Sequence, residues 1–353
     1  MGRYCAHNER PSHTIGSFVS SNSVIEVSDL TTRFNTQDGV VHAVSGVSFE
    51  LRPGEFLGVV GESGSGKSVT MMSLLKLIPM PPGEIVGGSA IFENQDLLQM
   101  EGDDLRSVRG GRIGFIFQDP MTSLNPVLTI GKQLREPLML HRGASKKEAK
   151  QRSVELLELV GLPDAEERLK TYPHELSGGM RQRVMIAMAL ACSPNVIIAD
   201  EPTTALDVTI QAQIIETVKD LREKLGTAVI WITHDLGVVA GLADRVIVMY
   251  GGEIVEQAPV NRLYSHPSHP YTQGLLNSMP SADRKGEELV SIPGQPPSLF
   301  SAPVGCSFAP RCPFAFDRCQ TENPQLDQMA TTSEEHLVAC WWDTAEGKER
   351  YDR

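Results

Sequence analysis

The chain has 353 residues, 22% of them charged and 41% hydrophobic, with a formal net charge of −12. That length and mix support one large domain with an appendage, or two modest domains. The acidic balance, with no arginine-rich block, speaks against a nucleic-acid partner, and no apolar run approaches the roughly 18–20 residues needed to span a bilayer.

Residues 1–23, MGRYCAHNERPSHTIGSFVSSNS, form a polar tail without the apolar stretch of a secretory signal. VIEVSDLTTRF and VVHAVSGVSFEL then read as strands of an antiparallel subdomain. FLGVV (56–60) reads as a short buried strand, followed by GESGSGKS (61–68) and the helical VTMMSLLKLI. This G-x-x-x-x-G-K-S pattern sets Gly61, Ser63, Gly64, Ser65 and Gly66 in a loop whose backbone N–H groups curl round a β-phosphate. Lys67 supplies a point charge to the β/γ-phosphates, and Ser68 offers a hydroxyl to Mg²⁺. These residues define a nucleotide site.

RIGFIFQ is a further strand ending at Gln118, and between Asp119 and Glu175 the strand patterns stop. There SKKEAKQRSVELLELVG shows a Ser145/Glu148 capping box, Val154, Leu157 and Val160 at helical spacing, and Gly161 as a stop. Next come Leu176, Ser177, Gly178, Gly179 and Met180, ahead of the helix RQRVMIAMALAC, which Pro194 closes. A serine and two glycines at a helix start present free N–H groups to an anion, although a plain flexible start reads the same way in isolation.

NVIIADEP (195–202) runs four apolar residues into two carboxylates. Asp200 is placed to hold Mg²⁺ through water, and Glu201 to polarise an attacking water. Many strands end in acidic turns, but after a phosphate loop this pair is the expected partner. TAVIWITH ends at His234, which taken alone fits a satisfied core histidine. RVIVMYGGEIVEQ (245–257) reads as a closing hairpin turning at Gly251-Gly252.

From about Asn261 the sequence turns richer in Pro and Ser. Of six cysteines, Cys5 and Cys192 look incidental, Cys192 as a buried thiol, whereas Cys306, Cys312, Cys319 and Cys340 crowd the end. With no export signal the compartment is expected to be reducing, which favours ligands over disulfides. Five, six and twenty residues separate the four in turn. Structural zinc prefers pairs about 2–4 residues apart, and wider spacing suits a larger object on four thiolates, with Cys312-Pro313 matching the Cys-Pro of cluster sites. Zinc stays open as the alternative, and plain thiols as a third. His336, near Cys340, reads as a surface residue rather than a ligand.

The order of phosphate loop, LSGG and Asp-Glu strand resembles the ATP-binding cassettes. The resemblance implies an α/β, P-loop NTPase fold of the ABC type over 24–260: a mixed sheet flanked by helices, an antiparallel β-subdomain and an inserted helical subdomain at about 119–175. A small Cys-rich extension, 261–353, follows. It further implies that Gln118 senses Mg²⁺ in a Q-loop, that TALD (204–207) is a D-loop containing Asp207, and that His234 contacts the γ-phosphate. Glu201 would be the general base, and Ser177 and Gly179 would face ATP held by a partner. Phe34 would stack on adenine, though it also fits a strand core. Met180 stands where glutamine is commoner; the backbone and Ser177 do the phosphate work, so the site is not read as dead.

DPMTSLNP (119–126), HPSHPYTQGLL (266–276), PGQPPSL and GCSFAPRCPFA narrow the resemblance to ATPase subunits of bacterial dipeptide/oligopeptide importers and their nickel relatives. It implies ATP and Mg²⁺ as ligands and a [4Fe–4S] cluster on the four cysteines. It also implies a second ABC ATPase subunit, as a heterodimer, two transmembrane permease subunits and an external solute-binding protein. Neither a nucleic-acid partner nor a membrane span of its own is expected, and the place of work is the cytoplasmic face of the inner membrane, peripherally. The rivals are import of nickel or another small solute, a non-transport cassette acting on DNA or ribosomes, and an iron–sulfur redox switch. The gap from Lys67 to Leu176 is too short for the long coiled coil of the second, and an intact Lys67, Asp200, Glu201 and His234 speak against the third.

Overall fold

A computed structural model describes residues 23–204, 208–279, 291–329 and 335–350. The chain starts with two long antiparallel strands, β1 (Ile25–Thr36) and β2 (Gly39–Leu51), and enters the main sheet at β3 (Phe56–Val60). Helix α1 (Lys67–Leu74) leads back to β4 (Gly83–Phe92) and β5 (Gln95–Asp96), which complete a four-stranded antiparallel sheet of order β2-β1-β4-β5. After α2 (Gly102–Val108) comes β6 (Ile113–Ile116), a strand of the main sheet that stops two residues short of Gln118.

The region without strands is helical, as the sequence indicates: α3 (Pro120–Ser123), α4 (Ile130–Arg142), α5 (Lys146–Leu159) and α6 (Ala165–Arg168). Ser145 caps α5 in a complete capping box with Glu148, and Gly161 follows the helix in left-handed backbone at φ 70°. Helix α7 (Gly178–Leu190) leads to β7 (Val196–Asp200), and α8 (Val208–Leu225) to β8 (Ala228–Thr233). A short α9 (Leu236–Ala240) precedes the hairpin β9 (Arg245–Tyr250) and β10 (Glu253–Pro259). Its turn is Gly251-Gly252 with φ of 58° and 84°, the left-handed pair that a two-residue hairpin demands.

The main sheet runs β11-β12-β10-β9-β3-β8-β7-β6, parallel from β9 to β6 and antiparallel beyond. Its last two strands come from the C-terminal extension: β11 (Asp327–Gln328) and β12 (Leu337–Val338). The extension is therefore stitched onto the cassette sheet beside β10. Helices α10 (Val260–Ser265) and α11 (Pro270–Asn277) lay Leu263 and Tyr271 into the same core, and α12 (Asp317–Thr321) carries the buried Cys319.

Strand alternation divides the interior. Phe56 and Val60 of β3 point into a core shared with the helical region, Tyr271 and Phe308, whereas Leu57 and Val59 point into one shared with α1 and the antiparallel sheet. Burial on both faces explains why β3, β7 and β8 read as unbroken apolar runs.

Candidate active site

The phosphate loop bridges β3 and α1. Gly61 sits at φ 150° and Gly66 at φ 98°, and a Cβ on either would come within 2.2 Å of Met249 O or 2.6 Å of Ala43 O. Only glycine lets the loop lie this close to the neighbouring backbone. Gly64 also has positive φ, at 78°, while Ser65 is buried and its carbonyl accepts from Gly252 N–H at 3.1 Å. Lys67 is only 4% exposed, and its Nζ donates to the carbonyls of Gly61 and Glu62 at 2.8 Å each. Burial pulls the Lys67 ammonium below its ordinary pKa, while the carboxylates of Glu201, Asp200 and Glu62 act in the opposite direction.

At the end of β7 the buried Asp200 accepts from Ser68 Oγ at 2.7 Å, and burial raises its carboxyl above the ordinary value. A hydroxyl and a carboxylate side by side form a hard oxygen pair suited to Mg²⁺. Glu201 follows in left-handed backbone at φ 44°, secured by its N–H to Ile232 O at 3.0 Å. A non-glycine residue held there costs on the order of 1–3 kcal/mol, the sort of strain that clusters at working sites.

One oxygen of Glu201 gathers three other groups. Gln118 Nε2 donates to Oε2 at 3.1 Å, Thr204 Oγ1 donates at 2.9 Å, and His234 Nδ1 lies 3.3 Å away. Lys67, Ser68, Asp200, Glu201, Gln118 and His234 thus form one connected site, reached from four separate elements. His234 is 55% exposed, so the core-histidine alternative fails: β8 ends at Thr233 and its ring stands free of the core. The sequence marks Thr204 only as the start of TALD, and its contact with Glu201 depends on the left-handed backbone at Glu201.

The remaining expected residues fall elsewhere. Ser177 caps α7 by accepting from Met180 N–H at 3.4 Å, Gly178 and Gly179 start that helix, and Leu176 is buried before it. Among the described residues no hydrogen bond joins this segment to loop 61–68. Phe34 lies half-buried on β1 opposite Val41, its ring edge 3.1 Å from where a Cβ on Gly83 would be. Asp207 lies outside the described residues, as do residues 1–22.

The four late cysteines are free thiols gathered in one region. Cys306 N–H donates to Cys319 O at 2.9 Å, and Cys306 feels the charges of Cys340, Cys319 and Cys312. Burial pushes Cys306 up to about 12 and Cys340 up to about 11. Against this, backbone N–H groups two residues on, at Phe308, Phe314 and Trp342, reach the sulfurs of Cys306, Cys312 and Cys340 and favour the thiolates. Among the described residues no group of three or more His, Cys, Asp or Glu side chains is set to hold a metal ion. His336 corrects the surface reading: it is fully buried, with Nε2 2.7 Å from Glu256 Oε1, because β12 draws it against β10.

Two contacts had no sequence signal at all. Glu62 N–H donates to the hydroxyl of Tyr271 at 2.8 Å, and the Glu62 carboxylate takes both Nη1 and Nη2 of Arg311 at 2.7 and 3.1 Å.

A phosphate loop, an Asp-Glu strand end, a Gln and a His in contact with that glutamate, and a serine-capped LSGG helix together define an ATP-binding cassette. The family model for the ABC transporter matches residues 44–204, and the one for the oligopeptide/dipeptide transporter C-terminal region matches residues 255–319. The chain is 53% identical to the probable peptide ABC transporter ATP-binding protein y4tR of Sinorhizobium fredii, over 90% of this chain and 94% of that one. It is 54% identical to the oligopeptide transport ATP-binding protein OppD of Bacillus subtilis, over 90% and 88% of the two chains. Among solved structures, the dimeric post-hydrolysis state of the cassette MJ0796 bound to ADP and Pi aligns with a TM-score of 0.60 at 32% identity, covering 67% of this chain and 98% of that one. The chain belongs to the ATP-binding proteins of the oligopeptide/dipeptide ABC transporters.

Proposed function

We propose that this chain is the ATP-hydrolysing subunit that energises peptide import through an inner-membrane complex. The observation that carries the reading is the convergence of Gln118, Thr204 and His234 on one oxygen of Glu201, beside Lys67 and Asp200. Loop 61–68 cradles the phosphates of ATP, Lys67 turns its ammonium from loop carbonyls to the β/γ-phosphates, and Ser68 and Asp200 hold Mg²⁺. The ion, when bound, neutralises charge developing between the β- and γ-phosphates. Glu201 takes the proton of the attacking water, His234 contacts the γ-phosphate, and Gln118 links the state of the site to the helical region. Phe34 stacks on adenine, and Asp207 belongs to the D-loop.

Leu176 to Met180 serve a partner's ATP: Ser177 and the start of α7 present N–H groups suited to an anion, and this segment makes no hydrogen bond to loop 61–68 among the described residues. A second ATPase subunit, two permease subunits and an external solute-binding protein make up the complex, with this chain at its cytoplasmic face. No described helix is long and apolar enough to cross a membrane, and the permease subunits of the complex would form the pore. The names of the relatives favour di- and oligopeptides over nickel or another small solute. In Glu201→Gln, ATP turnover by the assembled complex should fall by roughly 10²–10⁴-fold with nucleotide binding retained; unchanged turnover would remove Glu201 from the chemistry.

The four thiols are proposed to hold a [4Fe–4S] cluster, with zinc as the alternative. Support comes from the four soft thiol ligands and their spacing in the sequence, and from the backbone N–H groups aimed at three sulfurs, not from a preassembled metal-holding group. Anaerobic purification should yield a broad absorbance near ~400 nm with about four irons and four sulfides per chain. Stoichiometric zinc without sulfide would make the segment a metal clip instead.

A further inference from the structure

Glu62 is the second residue of the phosphate loop, and its peptide group does two jobs at once. Its carbonyl holds Lys67 Nζ at 2.8 Å, while its N–H is held by Tyr271 Oη at 2.8 Å. Its side chain is gripped from outside the cassette by Arg311, in the two-pronged geometry that fixes a carboxylate in direction as well as position. Arg311 is itself immobilised. Its side chain is only 4% exposed, its Nε donates to Pro293 O at 2.9 Å, its Nη2 to Ile292 O at 3.2 Å, and its guanidinium lies over the rings of Tyr250 and Phe308. Arg311 itself lies 249 positions after Glu62 and is joined directly to Cys312.

We propose that Arg311 is a positioning residue of the ATP site: through Glu62 it sets the shape of the phosphate loop, and so makes the cysteine-bearing segment an input to ATP affinity. A buried ion pair is not in itself a strong source of stability, because desolvating the charges offsets most of the attraction. Its return is directional, fixing one loop conformation. The inference rests on reading 61–68 as the ATP loop, and it holds whichever metal the neighbouring thiols carry.

The test is a double-mutant cycle on the full-length chain, read by the dissociation constant of a fluorescent ATP analogue with Mg²⁺. Arg311→Met keeps an unbranched apolar stem and removes the guanidinium, and Glu62→Gln keeps the shape of the loop side chain. Each should weaken nucleotide binding by roughly tenfold, with the double variant no worse than either alone, since both remove the same pair. In the assembled complex the loss should fall on KM for ATP, with kcat within about twofold of wild type. Arg311→Lys, which keeps the charge and loses the fork, should recover only part of the affinity.

Three results would overturn the proposal: wild-type affinity in Arg311→Met, losses that add in the double variant, or a fall in kcat and stability with affinity intact. Should Arg311→Met fail to fold, Glu62→Gln against Arg311→Lys completes the cycle. A wild-type chain that bound no ATP would instead overturn the ATP-site reading itself.

Discussion

Asp200 ends β7 almost buried, with a hydroxyl on one oxygen and Lys67 close by, and burial still raises its pKa above 3.8. The folded chain therefore holds a proton there more tightly than the unfolded chain does. By linkage, the nucleotide-free protein loses stability as pH rises from the ordinary carboxyl range through that raised value. Asp200→Asn keeps an acceptor for Ser68 and removes the buried charge. Without nucleotide or Mg²⁺ it should melt roughly 2 °C above wild type at neutral pH, with no difference once the pH falls below the ordinary carboxyl range. A lower melting point at neutral pH would mean that attraction to Lys67 outweighs desolvation. Asp200 and Glu201 were legible because phosphate chemistry requires their types in that order. Thr204 was not singled out, because its role depends on a left-handed turn at Glu201 that no residue preference announces.

Helix α5 shows how local chemistry sets an element. Ser145 Oγ accepts from Glu148 N–H, and the Glu148 carboxylate accepts in return from Ser145 N–H at 2.8 Å. Leu156, Leu157 and Val160 then bury one face against α4 and α7. Ser145→Ala should destabilise the first turn by about 1 kcal/mol. Amide hydrogen exchange should accelerate at residues 146–149 while the exchange of β3, β7 and β8 stays as it is; uniform acceleration throughout would show that the cap governs more than its own helix. This element was legible because every signal for it lies within a few residues. The main-sheet strands were legible too, as apolar runs. The pairing of β12 with β10 was not, since two residues of strand carry no pattern and their partner is some eighty positions earlier.

At the scale of the whole molecule, the same difference separates cassette from extension. Glu256 is fully buried and accepts from Ser268 N–H, His269 N–H and His336 Nε2 at 2.7, 2.8 and 2.7 Å, tying α11 and β12 to the hairpin. The same burial holds His269 low, at about 4, so it stays neutral beside that carboxylate across the physiological range. Glu256→Leu leaves His336 Nε2 and two backbone N–H groups without their acceptor, a loss of about 1–3 kcal/mol for each buried group left unpaired. Limited proteolysis should then cut the C-terminal extension sooner while the cassette up to β10 resists. Cleavage of both at equal rates would show that the two unfold as one unit. Composition suggested an appendage, yet besides Leu263, Tyr271 and the β12–β10 pairing it is held by single buried polar groups, each silent in the sequence.

The Arg311–Glu62 clasp also orders events in time. A ribosome delivers the phosphate loop first and the residue that steadies it some 249 positions later. While the chain is still emerging, β3 and α1 can form, but the loop between them has no outer wall until the cysteine-bearing segment arrives and folds back. If Arg311 positions the loop in this way, a nascent chain that stops before Arg311 should hold ATP less firmly than one that includes it.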